Sequence, residues 1–315
     1  MKKALSLIRA LILLFTFVLT ANSCNNDDGV AIRIGVMSGP TGMGMAKLIS
    51  DQKGIEDRYI FKIFSDPQQA TGELAAGNLD LLCLPTNTAA TLANKTADYI
   101  SVCAINTLGS LYLLTDGNTK INSINDLEGK TIYASVPNST TKPIIDFILS
   151  QNGVNATVEH TPDHDTLVAK IKKGEVSIAV LPEPKVTAAL ANNTDYKIDL
   201  NLTEEWSKIS DLPLTMGCIV VRNEYLKDNK KKVDAFLEEY SGSISYIANK
   251  TNLDTSAQMI VDAGILPQLG VAKKSLNNLA GSIVYIDGDA MKDALEGFYT
   301  AIGLQKPNSK FYYEK

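Results

Sequence analysis

Four loops carry residue types that could bind a small ligand, and each follows an apolar run that predicts a β-strand. They lie at 38–44, 85–88, 135–141 and 182–184. In open α/β sheets, ligands bind beyond the carboxyl ends of the strands, where loops lead into helices. The first and third loops place small residues and hydroxyls directly before a helix. Their free N–H groups and hydroxyls would suit an oxyanion such as a sulfonate, carboxylate or phosphate.

The polar residues of these loops could also have a purely structural role. Thr41 and Ser139 could cap the helices that follow them without binding any ligand. Glu183 stands between two prolines at a strand end, where its carboxylate could accept hydrogen bonds from a ligand amine or amidine. It could equally stabilise the first turn of the next helix, which favours an acidic side chain. An oxyanion site beside a cation site would fit a zwitterion or a heterocycle.

The residues of catalytic and metal-binding motifs are scarce in this sequence. The glycines of the first loop are spaced G-x-x-G-x-G, which is not the dinucleotide fingerprint. His160 and His164 flank Pro162, which breaks the helical spacing that a two-histidine metal site would use. No G-x-S-x-G elbow, P-loop or H-E-x-x-H pattern occurs. We expect no catalytic residue, no metal and no cofactor.

The N-terminus predicts export and a membrane anchor. Lys2, Lys3 and Arg9 precede an apolar stretch over 10–19, which is too short to span a bilayer and predicts a secretory signal over 1–23. The sequence Ala-Asn-Ser-Cys ending at Cys24 resembles the cleavage box of bacterial lipoproteins. That resemblance implies lipid on Cys24, a flexible linker over 24–29 and a location on a bacterial membrane. The alternative is a plain signal peptide with an incidental cysteine.

The net charge and the positions of the cysteines argue against two further kinds of protein, those that bind nucleic acid and those held together by disulfides. The chain has 30 Lys and Arg against 35 Asp and Glu, a net charge of −5, which argues against a broad nucleic-acid surface. Loss of the signal segment removes three positive charges and brings the net charge to −8. Cys83, Cys103 and Cys218 each lie in an apolar run, so we predict that they pack in the core rather than form a disulfide.

Short apolar runs alternate with helical patterns from residue 30 onward. This order predicts an α/β fold with parallel or mixed sheets and helices on both faces. Segment 77–94 aligns with 174–192 at an offset of 97 residues, and 33–42 aligns with 131–140 at nearly the same offset. Two lobes of similar plan are the simplest interpretation, and chance similarity of βαβ segments is the alternative.

Two interlobe crossings follow from this plan, near 106–121 and 211–222. We predict that lobe 1 is discontinuous and contains 30–105 and 218–315, and that lobe 2 contains 115–212. A cleft would lie beneath the hinge between them.

Several segments together resemble type II periplasmic binding proteins. Within that class the chain is similar to the nitrate/sulfonate/taurine and thiamine-precursor group of ABC transporter solute-binding lipoproteins. The segments that carry the resemblance are 37–48, 77–95, 123–135, 137–149, 181–184, the tract YIDGDAMKDALEGFY and PNSKFYY. It covers about residues 30–315.

The resemblance implies a protein that captures a small solute between its lobes and delivers it to an ABC permease powered by an ATPase. It implies no nucleic-acid partner, and we expect a monomer. The residues expected to bind the solute are Ser38, Thr41, Gly42, Asn87, Ser139, Thr140 and Glu183. A ligand-sensing or adhesive lipoprotein on the same fold is one alternative. A pyrimidine-synthesising enzyme is another, although the clustered cysteines and reacting histidine of such enzymes are missing here.

Overall fold

The computed structural model describes residues 31–54, 58–135, 140–191, 193 and 195–315. The predicted signal segment, Cys24 and the linker over 24–29 lie outside these residues. In the described ranges no helix combines the length and apolar character that a bilayer crossing requires.

The described residues form eleven β-strands and twelve α-helices. The strands are β1 (Ile32–Met37), β2 (Tyr59–Phe64), β3 (Leu81–Pro85), β4 (Ile100–Leu108), β5 (Leu111–Thr115), β6 (Thr131–Ser135), β7 (Thr157–Thr161), β8 (Ile178–Pro182), β9 (Lys197–Asn201), β10 (Thr215–Arg222) and β11 (Ile283–Ile286). The helices are α1 (Pro40–Met43), α2 (Ala46–Asp51), α3 (Pro67–Ala75), α4 (Thr86–Lys95), α5 (Thr141–Gln151), α6 (His164–Lys172), α7 (Lys185–Leu190), α8 (Leu202–Ser207), α9 (Asn223–Ala248), α10 (Leu253–Asp262), α11 (Leu269–Asn278) and α12 (Gly288–Ala301).

The strands form two sheets built on one plan. The first has the order β11-β4-β10-β3-β1-β2, and the second has the order β7-β6-β8-β5-β9. In the first, β1 pairs in parallel with β2 and β3, and β10 runs antiparallel between β3 and β4. In the second, β6 pairs in parallel with β7 and β8, and β5 runs antiparallel between β8 and β9. The predicted α/β fold with mixed sheets is therefore confirmed.

The chain crosses between the two sheets twice. The first crossing is the pair of residues 109–110 between β4 and β5, and the second is the segment 208–214 between α8 and β10. We call the described residues around the first sheet (within 31–108 and 215–315) lobe 1, and those around the second (within 111–207) lobe 2. In each sheet the antiparallel inner strand is the one that arrives directly from the other lobe. The two crossing segments, which together form the hinge, thus lead directly into inner strands of the two sheets.

Side-chain alternation divides the core of lobe 1 into two layers. Successive residues of a strand point to opposite faces of its sheet. Leu81 and Cys83 of β3 pack toward α9, whereas Leu82 and Leu84 join a core that continues into lobe 2 and includes Leu113. Strands buried on both faces give the continuous apolar runs that the sequence contains.

The three cysteines of the described residues are buried and unpaired, as predicted. Burial raises the pKa of the Cys83 thiol to about 12 and raises the pKa of Cys103 and Cys218 as well. A thiol held in its neutral form behaves as a small apolar side chain.

Candidate functional site

The loop after β1 is shaped by its glycines. Gly39 has a φ of 96°, a conformation that glycine adopts without strain. A Cβ on Gly42 would lie 1.9 Å from the carbonyl oxygen of Met37, so only glycine fits there. Ser38 is exposed, and its N–H donates to the carbonyl of Phe64 at 2.7 Å. These contacts fold the loop tightly against the end of the first sheet.

Thr41 lies inside α1 rather than at its start. The N-cap position is occupied by Gly39, which has no side chain, so the first turn of α1 has no side-chain cap. Capping by Thr41, the alternative considered for this loop, is therefore wrong. Because α1 is only four residues long, its aligned peptide dipoles are few and its N-terminus attracts an anion weakly. Any anion held here depends on hydroxyl and backbone donors.

Polar side chains from three elements meet beside Thr41. A Cβ on Gly217 would lie 2.6 Å from Asn106 Oδ1 and 2.7 Å from Thr41 Oγ1, so both oxygens converge above that glycine. Thr107 Oγ1 donates to Asn106 Oδ1 at 3.0 Å. Within the described residues, Asn106 Nδ2 and Thr215 Oγ1 are sealed from solvent without a hydrogen-bond partner. Buried polar atoms are normally paired, so these two mark a place where a polar group or water could bind.

Asn87 is the second residue of α4, the helix that follows β3. It is half-buried, and its Oδ1 lies 3.5 Å from Thr88 Oγ1. The preceding Thr86 is buried and donates to the carbonyl of Thr215 at 3.2 Å, which ties α4 to β10. The side chain of Asn87 therefore starts from a fixed backbone at the same sheet edge as the polar cluster around Thr41.

Lobe 2 contributes Thr140 at the start of α5. Its side chain is 7% exposed and makes no capping hydrogen bond to the helix, while its carbonyl accepts from the N–H of Ile144. Ser139 lies outside the described residues, so its predicted role stays a prediction.

Glu183 is held by four donors. Thr187 contributes its N–H at 3.4 Å and its hydroxyl at 3.1 Å. Across the lobe boundary, Ser275 Oγ lies 3.0 Å from Oε2 of Glu183, and Asn278 Nδ2 lies 2.5 Å from Oε1. A carboxylate has about four lone-pair positions, so these donors match its capacity. A ligand cation would have to displace one of them, and the predicted contact of Glu183 with such a cation stays a prediction.

The two lobes also approach each other beside Glu183. A Cβ on Gly39 would lie 3.7 Å from Cδ of Pro184, which brings the loop of lobe 1 against the end of β8. Tyr112 donates its hydroxyl to the carbonyl of Asn278. Burial, with a contribution from the nearby Glu183, raises the pKa of Tyr112 to about 12. The lobes are therefore in contact along this edge, and we call this arrangement closed.

A serine–histidine pair lies at the same edge of lobe 2. Ser135 ends β6, His164 begins α6, and Ser135 Oγ is hydrogen-bonded to Nδ1 of His164. Burial, reinforced by Lys185, lowers the pKa of His164 below its ordinary value. The imidazole is consequently neutral near pH 7. The sequence pattern suggests His164 only as a metal-site partner of His160, and it gives no prediction that Ser135 is the partner of His164.

The described residues bring no three His, Cys, Asp or Glu side chains into an arrangement that could hold a metal ion.

Comparison with solved structures identifies the class of fold. An ABC transporter protein from Parabacteroides distasonis superposes with a TM-score of 0.75 at 21% identity, over 90% of this chain and 99% of that one. The periplasmic aliphatic sulphonate binding protein SsuA of Escherichia coli gives a TM-score of 0.71 at 17% identity, over 90% and 92% of the two chains. The alkanesulfonate-binding protein SsuA of Xanthomonas axonopodis, bound to MOPS, gives 0.64 at 16%, over 89% and 95%. The fold is that of the periplasmic binding proteins.

A sequence profile then gives the family. The profile described as menaquinone biosynthesis matches residues 43–302, and the chain belongs to that family. No curated protein sequence matches the chain. The resemblance drawn from the sequence is thus correct for the fold, while the family description names a biosynthetic process rather than transport.

Proposed function

We propose that this chain is an extracytoplasmic solute-binding lipoprotein of an ABC importer, anchored through lipid on Cys24. It captures a small organic solute between its lobes and delivers it to a membrane permease and its ATPase. The observation that carries the proposal is the meeting of two polar sheet edges across a double hinge, with Gly39 of lobe 1 beside Pro184 of lobe 2. The names of the structural neighbours support it.

The proposed solute contacts are uncharged donors. They come from the side chains of Ser38, Thr41 and Asn87 in lobe 1 and of Ser139 and Thr140 in lobe 2. Gly42, also predicted to line the site, shapes the loop, because its N–H donates to the carbonyl of Gly39 at 3.0 Å. Hydroxyl, amide and backbone N–H groups can surround an oxyanion without a basic side chain, as they do in anion-binding loops. A sulfonate-like oxyanion suits this set best, and the MOPS-bound Xanthomonas protein supports that class. A thiamine-precursor-like heterocycle is the other solute class under test.

A second candidate function is an enzymatic step of menaquinone biosynthesis. The family match favours it, as does the Ser135–His164 pair, whose neutral imidazole could accept a proton at pH 7. This function predicts conversion of a bound compound, whereas the solute-binding function predicts its release unchanged.

A thermal-shift screen of the chain from residue 25 onward tests the proposal. The panel contains aliphatic sulfonates, nitrate, amino acids, aminopyrimidines, riboflavin-like heterocycles and naphthoquinones. A ligand that binds only the folded form stabilises it by about 2.7 kcal/mol at a hundredfold excess over its Kd. A shift confined to sulfonates would support the oxyanion site. A shift confined to heterocycles would contradict the oxyanion account, and a shift confined to naphthoquinones would favour the enzymatic function.

A further inference from the structure

Glu183 joins the two lobes through a side-chain cluster that we call the latch. It consists of Glu183 in lobe 2 with Ser275 and Asn278 of α11 in lobe 1, and Tyr112 of lobe 2 adds a bond to the backbone of Asn278. Glu183 is 2% exposed and Ser275 is fully buried. The cluster is therefore an internal part of the closed arrangement rather than a chance surface contact.

Two features make this cluster specific for the closed state. Glu183 is fixed independently of lobe 1, because its N–H donates to the carbonyl of Ser110 in the first crossing at 2.9 Å and Thr187 of lobe 2 donates twice to its carboxylate. Ser275 and Asn278 are one turn apart on α11, so both donors point from a single helix face. A rotation of the lobes about the hinge would break both interlobe bonds together.

The geometry points to a conformational latch: Glu183, Ser275 and Asn278 hold the lobes closed when no ligand is bound. All four donors to the carboxylate of Glu183 are uncharged, so the latch depends on hydrogen bonds and not on an ion pair. A hydrogen bond to an ionised group is stronger than one between neutral groups. Loss of one such bond shifts an equilibrium by about tenfold.

The latch has a consequence for ligand exchange. A ligand can enter between the lobes only while they are open. Because only a small fraction of the molecules is open at any time, the apparent association rate constant of the ligand is reduced. The inference does not depend on whether the cleft serves solute delivery or catalysis, because it concerns the protein without ligand. A failed ligand screen would therefore leave it standing.

Pulsed EPR on the full chain measures the lobe separation directly. Spin labels are placed on cysteines that replace exposed Lys274 of lobe 1 and exposed Lys173 of lobe 2, with Cys24 replaced by serine. The native cysteines of the described residues are buried and should not label. We expect one narrow distance distribution for this labelled reference. In the Ser275→Ala, Asn278→Ala double variant we expect a second, longer distance, with the closed-to-open ratio lowered about tenfold or more.

Asn277→Ala is the matched control, because Asn277 is exposed and neighbours Asn278 on the same helix. It should reproduce the distribution of the reference. If the double variant, shown by circular dichroism to be folded, gives the same distribution as the control, the latch does not exist. A broad reference distribution with both distances would also overturn it.

A second variant covers the case in which the double variant fails to fold. Asn278→Leu removes the amide donor to Glu183 and keeps a side chain of similar size that cannot form a hydrogen bond. Because Asn278 is half-buried at the end of α11, the change leaves the core of lobe 1 intact. A longer interlobe distance in Asn278→Leu supports the latch, and an unchanged distance contradicts it.

Discussion

The indole ring of Trp206 in lobe 2 packs against the ring of Phe298 in lobe 1, with ring centroids 5.9 Å apart. Trp206 also contacts Phe147 of its own lobe, and its indole N–H donates to the carbonyl of Leu212 in the second crossing at 2.8 Å. This aromatic contact joins the lobes at the second crossing, whereas the latch joins them at the ends of the strands. A rotation of one lobe relative to the other would therefore have to change the Trp206–Phe298 contact, the latch, or both.

Replacing Phe298 with alanine should destabilise the protein strongly. Removal of a fully buried phenylalanine leaves a cavity and costs about 3–5 kcal/mol. The free energy of unfolding is measured by urea titration. Trp206 serves as the probe, because it is the single tryptophan of the sequence. Ile60→Ala is the control, since Ile60 is 53% exposed and its truncation should change stability by less than about 0.5 kcal/mol. Equal effects of the two changes would refute the packing role of Phe298.

Asp80 should be the most sensitive charged residue of lobe 1. It is 1% exposed and accepts from Arg33 at 2.6 Å and from Arg222 at 3.2 Å, which links the residue before β3 to β1 and β10. Removing one partner of a buried ion pair costs about 3–5 kcal/mol. We expect about 2–3 kcal/mol for Asp80→Asn, because Arg33 is one-third exposed and can recover water. The exposed pair of Lys47 and Asp51 supplies the control, and Asp51→Asn should have little effect in the same urea titration.

The parts of the fold that could be predicted from the sequence are those that depend on local residue patterns. The offset of 97 residues seen in the sequence relates β3 to β8 residue by residue. These features depend on periodicity within a few residues and on turn residues nearby. The strand order, in which β5 and β10 each insert antiparallel into the middle of a sheet, depends on contacts distant in sequence, and periodicity carries no signal for it.

The candidate site was less accessible to sequence reasoning. Glu183 was singled out from its two flanking prolines, but its partner Asn278 is 95 residues further along the chain. Nothing in the local sequence of α11 indicates that contact. The polar pair of Asn106 and Thr107 interrupts an apolar strand run, and that interruption was a signal that could have been used.

His164 should make the stability of the protein pH-dependent. Its pKa in the folded state is lowered, chiefly by burial, so the unfolded chain binds a proton more readily. Its contribution is therefore complete above the unfolded pKa of about 6.5 and is lost as the pH falls toward the folded pKa. The slope is at most about 1.4 kcal/mol per pH unit. Urea titrations at pH 7.5 and 5.5 should show a larger loss for the wild type than for His164→Gln. Identical losses would contradict this assignment.

The cysteines of the described residues should be inert in the native protein. Cys83, Cys103 and Cys218 are buried, and burial raises the pKa of each thiol, so the reactive thiolate is scarce. In a variant with Cys24 replaced by serine, we expect no labelling by iodoacetamide in buffer and three labels per chain in urea. Mass spectrometry counts the labels. Rapid labelling without urea would show that the sheet of lobe 1 opens readily.

Thr41 and Thr140 should contribute to ligand affinity without contributing much to stability. Each would lose one hydroxyl donor on change to alanine, and a hydrogen bond to a charged ligand group contributes about 1.5–3 kcal/mol. We expect the double variant to bind the compound identified in the thermal-shift screen at least tenfold more weakly by calorimetry. Thr96→Ala is the control, because its hydroxyl bonds to Leu92 at the far end of α4. Unchanged affinity in the double variant would remove these residues from the site.

The most direct test of the central claim is the fate of a bound compound. The protein is incubated with the compound that stabilises it, separated from free compound, and denatured, and the released molecule is analysed by mass spectrometry. The solute-binding account predicts about one equivalent per chain, recovered unchanged after prolonged incubation. A product of different mass that accumulates beyond the amount of protein, and that fails to form with His164→Gln, would contradict that account and establish an enzyme.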